Sequence, residues 1–520
     1  MKVSSTKVRS FLEGAGVGVL VTLRFTMYLV SPYHEMLYVH PSPLYRVYLG
    51  AIVDLAAIAI IWILARRIKV AVLWAFLWTG IVITGMYDFS QLLDLSISRW
   101  AFAATTVSSL ACLGLLSLRH VWFRIADRAL RSCLVLIGFS GLWMISEMGY
   151  IAARSASPET TEFYKTPKVA NGATNSRIIW LVFDELSHDQ VYEHRWPDLS
   201  LPNFDRLRLH SVTFTNVRPA GNYTDKVIPS LFLGKTVSEI KSSVGGDVAV
   251  YLKDFQEWHE FNSGETIFAH ARQLGWSTGI VGWYIPYCRI LADWVDSCWW
   301  SNQQPFQDNL SSSHPVWLNA VAPFLNWLQP LMPGIVPERA SYWASLADSQ
   351  ARDFQAGLER AEVLVRNPAV RLTYIHLDVP HPPGIYDRKK RIFSRGGSYL
   401  DNLALADEAL GRLLEVAETN PNWSETTLIV CGDHSWRTPI WKHHAATWTQ
   451  EDEAASAGRF DTRPLLSIHF PNQETASTFT GSFSALTLHG VIEDLLRGKI
   501  GSEAIFLRIS EATKNHMKKG

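Results

Sequence analysis

A chain of 520 residues has room for more than one domain. Its charged residues make up 18%, against roughly 25% in an average soluble domain, and this deficit beside 48% apolar residues points to lipid-facing segments. Lys+Arg and Asp+Glu both number 48, so no basic excess argues for nucleic acid, and five scattered cysteines exclude a disulfide framework as the basis of the fold.

From about residue 10 to residue 153 the chain alternates apolar runs with short basic or polar loops. Five runs, 11–31, 46–65, 70–87, 100–118 and 132–153, approach the roughly 20 apolar residues that cross a hydrocarbon core. Arg24 interrupts the first, and no small-residue cleavage site marks it as a signal peptide. Lys2, Lys7 and Arg9 precede span one, Arg66, Arg67 and Lys69 follow span two, and Arg119, Arg124, Arg128 and Arg131 follow span four. By the positive-inside rule the N-terminus is cytoplasmic and residues after 153 lie on the far side. Among the ionisable groups Arg24, Asp54 and Glu147, Asp54 is the candidate for an intramembrane polar site, and helix-end snorkelling accounts for Glu147.

The stretch 154–176 is rich in Ser, Thr and Pro and reads as a linker. After it the pattern changes. IIWLVF (178–183), TGIVGWY (278–284), LTYIHL (372–377), TLIVC (427–431) and LLSIHF (465–470) are continuous apolar runs of the kind that form strands buried on both faces. Helical patterns lie between them, such as 401–418 with Leu403, Leu410, Leu413 and Leu414 on one side. This alternation predicts an α/β domain, 177–520, with a mainly parallel central sheet and its ligands beyond the C-terminal strand ends. The polar clusters fall at those ends: Asp184-Glu185, Asp378 with His381, and Asp433-His434. Carboxylates and imidazoles on neighbouring strand ends suit Zn²⁺ or Mn²⁺, one ion or two. A strand-end Asp also commonly caps the next helix. Cys288 and Cys298 share a loop and can pair in an oxidising compartment, which the sequence leaves open. The apolar, Trp-bearing stretch 311–346 reads either as an insertion packed on the domain's own core or as an interfacial segment guiding a lipid substrate.

Taken together, these segments resemble the alkaline phosphatase superfamily in its sulfatase-like branch, over roughly 177–500. IIWLVFDELS resembles its first strand and acidic metal ligand. NYTDKVIPSLFLGK (222–235) resembles its nucleophile helix, with Thr224 ten residues before Gly234. YIHLDVPHPPGIYD (374–387) resembles its "H-x-PH-P" segment, and CGDHSW (431–436) its "GDHG" ligands. The five preceding spans give the layout of lipid A phosphoethanolamine transferases and lipoteichoic acid synthases, although Asp184-Glu185 stands where those transferases carry Glu-Thr.

The resemblance implies a metal site of Asp184, Asp433 and His434, with Thr224 as further ligand and nucleophile and Glu185 as a candidate additional ligand. It implies His381 as a contact to the substrate phosphate or a proton donor to the leaving group, and Lys442 and His443 as substrate-binding residues. Asn222 and Lys226 flank Thr224 and are candidate phosphate ligands. His376 reads as a core residue, and His188, His194 and His270 as structural or surface groups. Thr cannot be oxidised to formylglycine, and Lys226-Val227 replaces the Pro-x-Arg context, so ordinary sulfatase activity is disfavoured. The expected function is transfer of a phosphate-linked headgroup, of phosphoethanolamine or phosphoglycerol type, to an envelope lipid or glycan in a bacterial inner membrane with a periplasmic domain. The alternatives are a phosphodiesterase, phosphatase or sulfatase-like hydrolase, and a non-catalytic relative.

Overall fold

The computed structural model describes residues 5–30, 45–65, 78–81, 99–118, 120–154, 160–166, 176–242, 247–301, 310, 314–328, 342–444, 447–499 and 508–510. The chain forms two compact units.

The first unit is helical. It contains α1 (Ser5–Val30), α2 (Tyr45–Ala65), α3 (Arg99–Leu118) and α4 (His120–Arg154). It also takes α6 (Val316–Leu328), which lies far along the sequence. Four of the five expected spans coincide with helices; 70–87 lies largely outside the described residues. The expected basic loop before the last span is helical instead, so α4 runs for 35 residues without a break. Among the described residues two segments, Tyr45–Ala65 and Arg124–Tyr150, are long and apolar enough to cross a membrane. α1 packs antiparallel on α2, with Gly14 against Ala59, Gly18 against Leu55, and the Tyr48 hydroxyl donating to the Leu29 carbonyl. Glycine matters most where α1 meets α4. A Cβ on Gly138 would stand 2.1 Å from the Leu12 carbonyl oxygen, and one on Gly16 would stand 2.2 Å from that of Leu134. Asp54 is buried on α2; Glu147 is half-buried, and the side chain of Arg24 lies outside the described residues.

The second unit is an α/β sandwich. The strands of its main sheet are β1 (Glu162–Tyr164), β2 (Arg177–Phe183), β3 (Val212–Phe214), β4 (Thr278–Trp283), β5 (Ser297–Ser301), β6 (Leu372–Leu377), β7 (Thr426–Gly432), β8 (Leu466–His469) and β9 (Ser477–Phe479). They form one mixed sheet in the order β1-β5-β4-β6-β2-β7-β8-β3-β9. The central run β5-β4-β6-β2-β7 is parallel throughout. β8, expected with the parallel strands, runs antiparallel to both β7 and β3. Its apolar run is continuous because both its faces are buried, and that burial does not fix strand direction. β1, inside the expected linker, pairs antiparallel with β5 at the sheet edge.

Every residue of β2 is buried, and alternation sends them to two cores. Ile178, Trp180 and Val182 join one cluster, while Ile179, Leu181 and Phe183 join the other. At the start of β2 the buried Arg177 guanidinium donates to the carbonyls of Val370, Leu364 and Asn367. Three helices of this unit bear on the site and its surroundings: α5 (Thr224–Leu233), α7 (Tyr342–Arg366) and α8 (Tyr399–Glu418). α8 begins with a capping box between Ser398 and Asp401, which sets its start two residues ahead of the periodic pattern.

Candidate active site

Register brings the chemistry together. Phe183 at the end of β2 is paired with Gly432 of β7 on one side and Leu377 of β6 on the other. The next residues, Asp184, Asp433 and Asp378, therefore emerge side by side at the C-terminal edge of the parallel run. All three are buried.

α5 delivers the hydroxyl to this edge. Thr224 is its first residue, so the positive end of the helix dipole lies at the hydroxyl and favours an anion there. Gly234 ends the helix at φ +65°, a left-handed conformation that glycine adopts without penalty. Thr224 Oγ1 donates to Asp433 Oδ2 at 2.8 Å. It lies 3.4 Å from both carboxylate oxygens of Asp184 and 3.4 Å from His434 Nε2. His434 Nδ1 is 3.1 Å from the Ser435 carbonyl, which fixes the proton on Nδ1 and leaves the Nε2 lone pair facing Asp433 and Asp184 at 3.3 and 3.8 Å.

Asp184, Asp433 and His434 each offer a ligand atom within 4.8 Å of the others, and all three are buried. Burial, and then the neighbouring Asp433, push the Asp184 carboxyl well above the ordinary range. Burial raises Asp433 as well. Two desolvated carboxylates this close disfavour each other's ionisation, Arg437 offsets this only in part, and a cation between them would let both ionise. Burial, then the Arg437 charge, lowers His434 to about 3, which keeps it neutral as a ligand must be. The donor set of two carboxylates, one neutral imidazole and a hydroxyl fits Zn²⁺ or Mn²⁺.

Glu185 has a different surrounding from the one its sequence position suggests. Its φ is +65°, a strained value for a non-glycine residue. Its amide donates to Asp433 Oδ1, and its carbonyl accepts from the Tyr399 hydroxyl at 2.7 Å, so neighbours on both sides fix the turn. Its fully buried carboxylate accepts from Arg437 Nε at 2.5 Å and from Trp441 Nε1 at 2.9 Å. Those two donors, rather than the Asp184–Asp433–His434 group, hold it.

Arg437 is the residue that the sequence reading passed over. It is buried, over the ring of Tyr223 at 5.4 Å and that of Trp441 at 5.6 Å. No periodicity marks an arginine four residues after Asp433; only its charge close behind the Asp433-His434 pair was available as a signal. His381 joins this group, with Nε2 4.0 Å from Glu185 Oε1 and its ring between those of Trp283 and Trp441. Burial, then Arg437, holds it well below the ordinary histidine range. His376 is buried on β6 with Nδ1 2.8 Å from the Tyr287 hydroxyl, and burial lowers it to about 4.

The remaining candidates stand further out. Asn222 is exposed, and half-buried Lys226 lies 4.5 Å over the Tyr223 ring. Lys442 is exposed and pairs with Glu453 at 2.6 Å, and His443 is exposed. Two further groupings with ligand spacing occur among the described residues, His270–His489–Glu493 and Asp189–Glu193–His194.

No protein-family model and no curated protein matches the chain. Among solved structures it is similar to the phosphonate monoester hydrolase of Agrobacterium radiobacter, at 14% identity over 62% of this chain and 74% of the other, with a TM-score of 0.36. A protein in the alkaline phosphatase superfamily from Vibrio parahaemolyticus matches at 13% identity over 66% and 69%, with a TM-score of 0.37. A sulfatase from Pseudoalteromonas sp. matches at 11% over 62% and 67%, with a TM-score of 0.38. Likeness of this degree assigns no substrate.

Proposed function

We propose that the chain is a membrane-bound, metal-dependent transferase of the alkaline phosphatase type that moves a phosphate-linked headgroup, through Thr224, from a phospholipid to an envelope lipid or glycan. The observation that carries this reading is the buried Thr224 hydroxyl at the positive end of α5, within 3.4 Å of Asp184, Asp433 and His434. A hydroxyl is a weak nucleophile until a base or metal activates it.

Asp184, Asp433, His434 and Thr224 Oγ1 would hold the ion. Bound there, a divalent metal lowers the pKa of the hydroxyl and offsets charge on the phosphoryl oxygens. The Thr224 proton leaves along its 2.8 Å hydrogen bond to Asp433. The Oγ1–phosphorus bond forms as the bond from phosphorus to the departing oxygen breaks; that oxygen leaves as an alcohol with a proton taken from water, while Asp433 returns the Thr224 proton to solvent. An acceptor hydroxyl then attacks phosphorus and gives up its proton as the Oγ1–phosphorus bond breaks and Thr224 Oγ1 regains one through Asp433. Arg437, oriented by Glu185, binds a non-bridging phosphate oxygen, a role that suits a guanidinium. His381, with Nε2 4.0 Å from Glu185 Oε1, is the candidate contact to the phosphate or proton donor to the leaving group.

Helices able to cross a membrane support attachment to the bilayer. The Cys288–Cys298 disulfide supports an oxidising, extracytoplasmic location for the second unit. The reading is tested by the intact mass of wild-type and Thr224→Ala protein after incubation with envelope phospholipids and Mn²⁺ or Zn²⁺. A headgroup-phosphate adduct on wild type alone is expected, and its mass names the group transferred. Metal-loaded wild type that consumes none of these lipids and carries no adduct overturns the proposal for those donors. Steady release of the headgroup phosphate into water without an acceptor identifies a hydrolase instead.

A further inference from the structure

The helix α6 is the place where the two units are least separable by sequence. β5, which ends at Ser301, and α7, which begins at Tyr342, both belong to the α/β unit. Between them the chain contributes α6 to the helical unit. There α6 packs closely on α2: a Cβ on Gly50 would stand 2.8 Å from Asn319 Cβ and 3.1 Å from the Ala320 amide nitrogen. Only glycine admits so near an approach.

α6 has 13 residues, VWLNAVAPFLNWL, and none is charged. At 1.5 Å per residue its 13 described residues extend roughly 20 Å, against about 30 Å for a hydrocarbon core, and Pro315 and Pro330 bracket the run in sequence. Asn319, Ala320 and Ala322 are buried. Trp317 and Val321, one helical turn apart, are 67% and 42% exposed. Within the same unit α2 exposes Val53, Ile60, Ile61 and Leu64. α2 is itself long and apolar enough to span a membrane. An uncharged helix packed on such a segment, with a large aromatic facing outward, has its natural solvent in acyl chains rather than water.

We propose that α6 is a re-entrant membrane helix. It enters the bilayer from the side of the catalytic unit and returns to that side, with its Trp317–Val321 face packed by lipid acyl chains. The connectivity decides the direction, because a helix too short to cross, whose two flanks both lead to the α/β unit, leaves by the side it entered. The chain of the catalytic unit is then fastened to the membrane twice, once through 154–176 and once through α6. The proposal rests on the helical unit being the membrane domain.

The test uses full-length protein in lipid nanodiscs, with the exposed Cys112 and Cys133 replaced by alanine and the disulfide retained. Trp317→Cys and Val321→Cys carry a small thiol-linked fluorophore. Val53→Cys on α2 reports the membrane reading, and Lys389→Cys, exposed in the α/β unit, reports water. Spin-labelled acyl chains are expected to quench the labels at 317 and 321 as strongly as the label at 53, while a water-soluble quencher reaches only 389. Quenching by lipid at 53 but not at 317 or 321, with water access at both, overturns the re-entrant helix and leaves the membrane domain standing. Loss of lipid quenching at 53 as well overturns both. Comparable thermal melting of the four variants establishes that each label reports the folded chain.

Discussion

Arg437 and Glu185 form a buried ion pair beside the hydroxyl of Thr224, and the pair decides what each can do. If Glu185 is the positioning partner of Arg437, Glu185→Gln keeps the bound metal and weakens substrate binding. If it is instead a metal ligand, the same change lowers the metal content. We expect metal retained in Glu185→Gln and lost in Asp433→Asn, measured as metal per chain by mass spectrometry. Arg437→Ala is expected to raise KM roughly ten- to a hundred-fold, the worth of about 1.5–3 kcal/mol for a hydrogen bond to a charged group. The carboxyls of Asp184 and Asp433 give a further expectation with a definite sign. Both are raised in the folded protein, so in chelated protein they contribute stability that is full below the ordinary carboxylate range and is lost as pH rises through the folded values. A metal takes both as anions, and its binding releases their protons. The gain in Tm on adding Zn²⁺ or Mn²⁺ is therefore expected to grow from pH 5 to pH 8, as melting curves with and without chelator will report. A gain that falls with rising pH over that range is inconsistent with carboxylate ligation.

At the scale of the elements, β2, β4, β6 and β7 were legible because burial on both faces leaves an unbroken apolar run, whereas the parallel β5, Ser297–Ser301, is only partly buried and carries no such run. Leu372–Leu377 matches its expected bounds, β2 begins one residue earlier than expected, and β7 extends one residue further at each end. The site followed from the same fact, since Asp184 and Asp433 adjoin strands whose register the sheet fixes. Strand direction at β8 and the short edge strand β1 left no such mark: one is decided by its partners, and the other has only three residues. Arg437 and the strained turn at Glu185 were not legible, because tertiary contacts alone give them their roles. The helix before the last span was hidden by its arginines, which read as a loop. Of these, Arg131 reaches Glu13 on α1 at 3.4 Å, so charge that suggests a loop joins two helices here. Helix packing in this unit carries its own prediction. Gly138→Leu places a side chain into the Leu12 carbonyl, whereas Gly149→Leu, with nothing within 4 Å of its Cβ, meets open space. A lower melting temperature and loss of monodisperse protein in detergent are expected for the first alone.

At the scale of the whole molecule, sidedness links the two units without reference to their relative placement. The Cys288–Cys298 bridge closes a short loop at sequence separation 10. In the chain-entropy account such a bridge contributes about 2–3 kcal/mol, and it persists only where thiols are oxidised. The basic residues around α1 and at the start of α4 argue for the opposite side at those positions. Both statements hold together only if the chain crosses the membrane an odd number of times before the α/β unit begins. Reactive cysteines test this in sealed, right-side-out vesicles, again without Cys112 and Cys133. Lys389→Cys is expected to react with a membrane-impermeant maleimide at once, and Arg9→Cys only after permeabilisation. Equal labelling of both in sealed vesicles would place them on one side and remove the odd number of crossings. Labelling of Arg9→Cys alone would invert the chain, and an inverted chain would hold the Cys288–Cys298 loop on the reducing side, where the bridge should be absent from the non-reduced mass.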